Sequence, residues 1–448
     1  MLSRLIFDNT IPLERQAIVT SAKATTWSAM QDCAKSILHS VEPLRDRRVG
    51  LAFAPRAESY AALAALERLS CDVFLFDAYV RSEESLRLAG KLRLAGLLVP
   101  PINGGCRDFE LHELPDEEPG GGDSSVTILT SGSTGEPKAV RHSWETLSRP
   151  IRKYPGDRAP RWLLTYRPNL YAGLQVALQC LADRGTLVIP EADSDPQSTA
   201  QFMLATGVEY VSATPSHWRR LLMFADPDLL ARIPMVQITL GGEVVDQAVL
   251  DRLRRIFPEA RLVHIYATTE MGRCFSVSDG LAGFPESYLQ AAIQPDGVEL
   301  KIENGELMIR SANSMRMYDP YCSHPEMADW FATGDVVEIR DSRVYFAGRK
   351  SDMINVAGSK VYPIEVERVI RTVPGVSDVR VFGRASSIAG ELVACEIVPE
   401  TGQDTEVLQS LVARTCRDRL SSPQQPRLMN FVARIDLSAA GKTLRARA

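Results

Sequence analysis

Residues 127–140 read TILTSGSTGEPKAV. The flank VTIL, residues 126–129, is apolar and β-branched and reads as a buried strand. The small and hydroxyl-bearing residues after it read as a loop that faces something polar. Backbone N–H groups in such a loop converge on an anion, side-chain hydroxyls add donors, and a lysine adds positive charge. Ser131, Ser133, Thr134, Gly135 and Lys138 therefore form a candidate phosphate cradle. A Walker loop needs glycine directly before its lysine and a hydroxyl directly after; here Pro137 precedes Lys138 and Ala139 follows, which disfavours a Walker-type phosphotransferase.

Outward from this loop, strand-like and helical patterns alternate. VGLAF (49–53) and DVFLFD (72–77) read as strands, ESYAALAALERL (58–69) as a helix, and SEESLRLAGKLRLAG (82–96) as a helix opened by a serine cap. GTLVIP (185–190), VEYVSATP (208–215), VQITLGGE (236–243) and RLVHIYATTE (261–270) are strand runs that end in small or polar residues, where α/β folds place ligands. Between 297 and 346 the pattern turns to alternation around ENG and RDS, as in antiparallel hairpins. A second unit starts near Arg349, with a helix at PIEVERVIRTV and strands at DVRVFGR and ELVACEIV. The expected fold class is α/β (α+β): a large domain of layered sheets over 1–348, β-rich in its distal part, and a small α+β domain over 349–448.

The 448 residues, 45% hydrophobic and 24% charged, allow more than one packed core, and a net charge of −5 favours neither nucleic acid nor an anionic membrane surface. No stretch has the length and apolarity of a membrane span. The eight cysteines lack any CxxC or CxxH spacing. That argues against zinc or a disulfide framework and suits reduced thiols in a cytoplasmic protein.

The string T-S-G-S-T-G-x-P-K resembles the phosphate-binding signature of the adenylate-forming superfamily: acyl-CoA synthetases, peptide-synthetase adenylation domains and luciferase. Further motifs follow in that family's order. YATTE (266–270) is similar to Y-G-x-T-E, GGE (241–243) to the segment against the adenine ring, and FATGD (331–335) to Y-x-T-G-D. AGRKSDMINVAGSKVYPIEVE (347–367) and LSAAGKTLR (437–445) resemble the last two motifs. The resemblance assigns ATP to Thr130, Ser131, Gly132, Ser133, Thr134, Gly135, Lys138, Gly241, Gly242, Glu243, Tyr266, Asp335 and Arg349. It gives catalytic roles to Lys442, Thr269 and Glu270, with Glu270 also holding Mg²⁺. Asp335 suits ribose because a carboxylate accepts two hydroxyl hydrogen bonds at once, and Arg349 adds a fixed fork of donors. The acyl pocket is expected at Tyr171, Gly173, His217, Trp218, Ala267 and Thr268, a mix of aromatic and small groups fit for a small carboxylic acid. His217 and Trp218 fit a helix start in the core equally well.

The implied chemistry is attack of a carboxylate on the α-phosphorus of MgATP, giving acyl-AMP and pyrophosphate, then transfer to a thiol. Lys442 supplies positive charge in the first step. The small domain then rotates about Lys350 and Ser351 and brings Gly358, Ser359 and Lys360 to the site. GSKVYPIEVE looks most like acyl- and aryl-CoA synthetases, which implies coenzyme A as acceptor. A carrier-protein phosphopantetheine or an amine is the alternative, and a catalytically silent nucleotide-binding homologue is the alternative of another class. The chain departs from the family pattern at Ala267, where glycine is usual, at Asp436, where proline is usual, at Leu170–Tyr171 in the aromatic-gate segment, and at Ser351 in the hinge.

Overall fold

A computed structural model of the 448-residue chain describes all residues except 9–13, 79–82, 101–105, 107–108, 116–118, 121, 132–136, 153–158, 291–296, 322–328, 387–389, 437–442 and 444–448. Two large sheets dominate. The eight-stranded sheet runs in the order Gly272–Val277, Arg261–Thr268, Gln237–Gly241, Tyr210–Ala213, Arg161–Leu164, Thr186–Ile189, Gln16–Thr20, Ala24–Thr26. Its inner strands are parallel and only the two edge strands are antiparallel. Such strands are buried on both faces, which is why TLVI and QITL read as continuous apolar runs.

The seven-stranded sheet is built on the parallel set Ser125–Ser131, Asp72–Asp77, Arg48–Phe53 and Gly96–Val99. The opening motif is a hairpin on this sheet: Ser125–Ser131 pairs antiparallel with Pro137–Ser143, Thr130 opposite Lys138. Side chains of both sheets share one core with the helices Trp27–Ser40, Ala57–Arg68 and Tyr171–Ala182. The alanine-rich Ala57–Arg68 is buried from Ala57 to Glu67, as a helix sandwiched between sheets must be.

A five-stranded antiparallel sheet follows, whose hairpin Val298–Glu303/Glu306–Ser311 turns on Asn304 and Gly305 at φ 51° and 77°. Two successive left-handed residues make the tight turn that matches strand twist, so ENG marks it from sequence. Beyond it, strands Val376–Ser386 and Gly390–Pro399 pack with helices Pro363–Ile370 and Thr405–Arg419 around a core that runs from Ile354 to Cys416 and includes no residue of the large sheets.

Two expectations need correction. The helix expected over 82–96 ends at Lys91, because Arg93 takes a left-handed φ of 52° and Gly96 already opens a strand; the apolar LRLAG belongs to that turn. The serine cap expected at Ser82 lies outside the described residues. Cys33 and Cys106 form a disulfide with Cα atoms 5.1 Å apart, against the expectation of reduced thiols throughout. Their separation of 73 residues shows no short-range spacing; the fold, not the sequence neighbourhood, brings them together. Cys71, Cys180, Cys274, Cys395 and Cys416 are free and buried.

Candidate active site

The site lies at the carboxyl ends of the parallel strands, where backbone termini and loops converge. Strand Arg261–Thr268 delivers Tyr266, Ala267 and Thr268 and ends in the turn that carries Thr269 and Glu270. That turn is held from three sides. Thr268 Oγ1 accepts from Met271 N at 2.9 Å, Met315 N donates to the Glu270 carbonyl at 2.7 Å, and His142 Nε2 lies 2.7 Å from the Thr269 carbonyl. A carbonyl only accepts, so the proton of neutral His142 sits on Nε2. Burial pushes this imidazole down to about 4, although the hydrogen bond to Thr269 favours its proton. The Glu270 carboxylate has no ion-pair partner among the described residues.

Asp335 sits in strand Phe331–Arg340 and is buried. Arg349 Nε donates to its Oδ1 at 2.8 Å, and the Tyr266 hydroxyl donates to Oδ2. Tyr266 is fixed by stacking between Phe275 and Phe346, with ring centroids 5.3 and 5.1 Å away. The turn before Asp335 is braced in turn: Glu306 accepts from Gly334 N at 2.6 Å and pairs with Lys350. Each carboxylate oxygen has two lone-pair sites, so Asp335 can still accept from vicinal hydroxyls. The hinge candidates Lys350 and Ser351 lie in a short 3₁₀ turn directly after Arg349, and Ser351 Oγ donates to Asp352 at 2.9 Å.

Gly241 ends its strand, its carbonyl accepting from Tyr166 Oη at 3.3 Å, and Gly242 turns the chain at φ 83°. Glu243 then reaches two ways: Oε2 accepts from Ser216 N at 2.9 Å, and Oε1 accepts from Thr443 N at 2.7 Å. Ser216 Oγ and Thr443 Oγ1 are 3.1 Å apart. The C-terminal segment is thus docked on the large domain. Lys442 and the loop residues Gly132, Ser133, Thr134 and Gly135 lie outside the described residues; Thr130 and Lys138 face each other at the base of that loop, and Ser131 closes the strand.

Among the acyl candidates, Tyr171 is buried with its ring 5.5 Å from His142. The His217 imidazole is kept uncharged, its pKa pushed down to about 4 by burial and by the neighbouring Arg220. Two candidates lie in packed surroundings. Trp218 is fully buried in the core beside Phe257, Leu221 and Leu253, because helix Pro215–Phe224 turns residues 218, 221 and 222 inward. At Gly173 a Cβ would stand 2.1 Å from the Arg167 carbonyl, so its bareness serves packing of its helix on the preceding turn. Gly358, Ser359 and Lys360 are exposed at the tip of the hairpin Ile354–Val356/Ser359–Val361, where Ala357 and Gly358 take φ 49° and 86°.

Sequence reasoning missed the residues that hold the domains together. Asp246 caps helix Gln247–Ile256 by accepting from Val249 N at 2.9 Å, accepts from Arg219 at 2.6 Å, and lies 3.8 Å from Arg371 of the small domain. Burial alone would raise this carboxyl, but the two guanidinium groups hold it below its ordinary value. The D-Q-A-V cap is legible in sequence; its partner 125 residues away is not.

The sequence pattern of the family described as AMP-binding enzyme matches residues 16–319, and that of the AMP-binding enzyme C-terminal domain matches residues 365–442. The chain belongs to the AMP-binding enzyme family. This AMP-binding enzyme is 28% identical over 358 residues to a long-chain-fatty-acid–CoA ligase of Mycobacterium tuberculosis, covering 74% of its own chain and 68% of the relative. It is 24% identical over 462 residues to a 2-succinylbenzoate–CoA ligase of Listeria innocua, covering 94% and 95%. Its fold matches the crystal structure of the anthranilate CoA ligase AuaEII in complex with anthranoyl-AMP at a TM-score of 0.80, with 16% identity and 99% and 95% of the two chains covered.

Proposed function

We propose that this AMP-binding enzyme activates a small carboxylic acid with ATP, releasing pyrophosphate, and passes the acyl group from acyl-AMP to the thiol of coenzyme A. One observation carries the reading: Asp335 is clasped by Arg349 and by Tyr266, the latter on the strand that runs into the Thr269–Glu270 turn, while Thr443 is docked at Glu243. On this reading Asp335 takes the ribose and the Thr269–Glu270 turn the phosphates, and the strands that lead to Glu243 and to that turn are neighbours in one sheet.

In the first step the substrate carboxylate attacks the α-phosphorus as pyrophosphate leaves. Charge develops on the phosphoryl oxygens, so the protein acts mainly by positioning and by preorganised positive charge. Asp335 and Arg349 orient the ribose, the hairpin base at Thr130 and Lys138 faces the phosphates, and Lys442 meets the developing charge. Thr443, the next residue in the chain, is anchored at Glu243, and on this reading the anchor serves Lys442. The Glu270 carboxylate suits a hard cation such as Mg²⁺, and Glu270 would hold it with water and phosphate oxygens as the other ligands, where its charge would offset that of the leaving pyrophosphate.

In the second step acyl-AMP offers a good leaving group to a thiolate. Gly358 has no non-neighbouring heavy atom within 4 Å of where a Cβ would stand, so the hairpin tip is clear of the large domain in this pose. The reading therefore requires the small domain to turn before transfer, about Lys350 and Ser351. The cytoplasm, which supplies ATP and coenzyme A, is the compartment this reading requires. The test is incubation with ATP, Mg²⁺ and coenzyme A across a panel of short aliphatic and benzoic acids, followed by mass spectrometry. Acyl-CoA and AMP in equal amounts are expected; AMP and pyrophosphate without thioester would move the acceptor to a carrier protein or an amine.

A further inference from the structure

We infer that Glu243 is a positioning residue, which with Ser216 clamps Thr443 and so presents Lys442 for the first half-reaction alone. The inference rests on the adenylation reading above and adds a residue role to it. The bland account is that Glu243 supplements the N-terminus of helix Pro215–Phe224, whose Ser216 N–H it accepts. That helix, however, is already capped: Thr214 Oγ1 accepts from His217 N at 3.1 Å. Only one Glu243 oxygen serves the helix; the other takes the Thr443 amide, 200 residues further along the chain.

The Thr443 side chain meets the same partner, its Oγ1 lying 3.1 Å from Ser216 Oγ. A backbone donor and a side-chain hydroxyl of one residue are thus both engaged by one bracket. The amide that Glu243 grips is the peptide linking residue 443 to Lys442, so the gripped nitrogen is two bonds from the lysine's Cα. It closes only while the small domain is in this pose, and rotation has to release both hydrogen bonds together.

The test uses the full chain and two kinds of readout. Hydrogen exchange of the C-terminal peptide reports the clamp without any substrate: Glu243→Ala is expected to abolish protection of the Thr443 amide, and Glu243→Gln, which keeps one acceptor oxygen, to reduce it. Pyrophosphate exchange at saturating ATP is expected to fall about 10- to 100-fold in Glu243→Ala, as for loss of a charged acceptor. Thioester formation at saturating preformed acyl-AMP is expected to keep the parent rate, and calorimetric ATP affinity is measured beside it because Glu243 also belongs to the segment expected against the adenine. Unchanged Thr443 protection would overturn the clamp whether or not the adenylation reading holds. Equal loss in both half-reactions, or a change confined to ATP affinity, would also overturn it, the latter marking Glu243 as part of the adenine wall. A parent enzyme with no acid-dependent exchange would instead sink the adenylation reading and leave the protection result to decide the clamp.

Discussion

At the scale of single residues, the chemistry depends on side chains whose freedom has been removed. Asp335 can serve a ribose because Tyr266 and Arg349 hold its carboxylate and because Tyr266 is locked in an aromatic stack. Each hydrogen bond to a charged group is worth about 1.5–3 kcal/mol. Asp335→Ala is accordingly expected to weaken ATP binding by about tenfold or more in calorimetry, and an unchanged affinity would reduce the TGD turn to a structural feature. His142 acts one layer back, holding the Thr269 carbonyl from a fully buried position. Its pKa, about 4 in the fold, lies below the ordinary value of 6.5, so the unfolded chain binds more protons between those limits. The stability that neutral His142 contributes is complete above the unfolded pKa and is lost as pH falls from 6.5 toward 4. Urea unfolding should show a loss of about 2 kcal/mol between pH 7 and 5 from this group. His142→Phe should remove that part of the slope; an identical slope in the variant would contradict the assignment.

At the scale of elements, local pattern and long-range contact divide what could be read from sequence. The strands TLVI, YVSA and QITL, the ENG hairpin and the first strand of the opening hairpin were legible because period, β-branching and turn chemistry are local properties, whereas its return strand Pro137–Ser143 reads as loop in the sequence. The glycine and hydroxyl spacings of the candidate motifs could be noticed for the same reason, since each motif is a short continuous stretch of sequence. The Cys33–Cys106 pair, the Thr269 support from His142 and the Asp246–Arg371 approach were not, because each joins segments that only the finished sheets bring together. Trp218 was ambiguous for a further physical reason: a helix start beside a pocket offers both a core face and a ligand face, and one turn decides between them. The hairpin tip at Gly358 carries its own expectation. Gly358→Trp should leave pyrophosphate exchange intact and abolish thioester formation from acyl-AMP, by filling the space that glycine leaves open. A side chain at positive φ also strains the turn by about 1–2 kcal/mol. Gly358→Asn, which tolerates that conformation with a small side chain, separates strain from blockage and should retain more transfer. Parent-rate transfer in Gly358→Trp would mean that the thiol enters elsewhere.

At the scale of the whole molecule, the docked pose is held at separated points, by Asp246 between Arg219 and Arg371 and by Glu243 between Ser216 and Thr443. Both are polar contacts rather than a shared apolar core, and the small domain keeps a core of its own. Polar latches would suit the opening and re-forming that the proposed two-step function requires, since exchanging them for water costs far less than exposing a packed core. The central claim is therefore that one chain performs two half-reactions and uses Lys442 in only the first. The most direct measurement is single-turnover pyrophosphate release from ATP and an activated acid without coenzyme A, run beside transfer from preformed acyl-AMP, in the parent and in Lys442→Ala. The account predicts acid-dependent pyrophosphate release in the parent, slowed about 10²-fold or more in the variant, with acyl transfer close to the parent rate. Release of orthophosphate and ADP, or comparable loss of both half-reactions in Lys442→Ala, would contradict it.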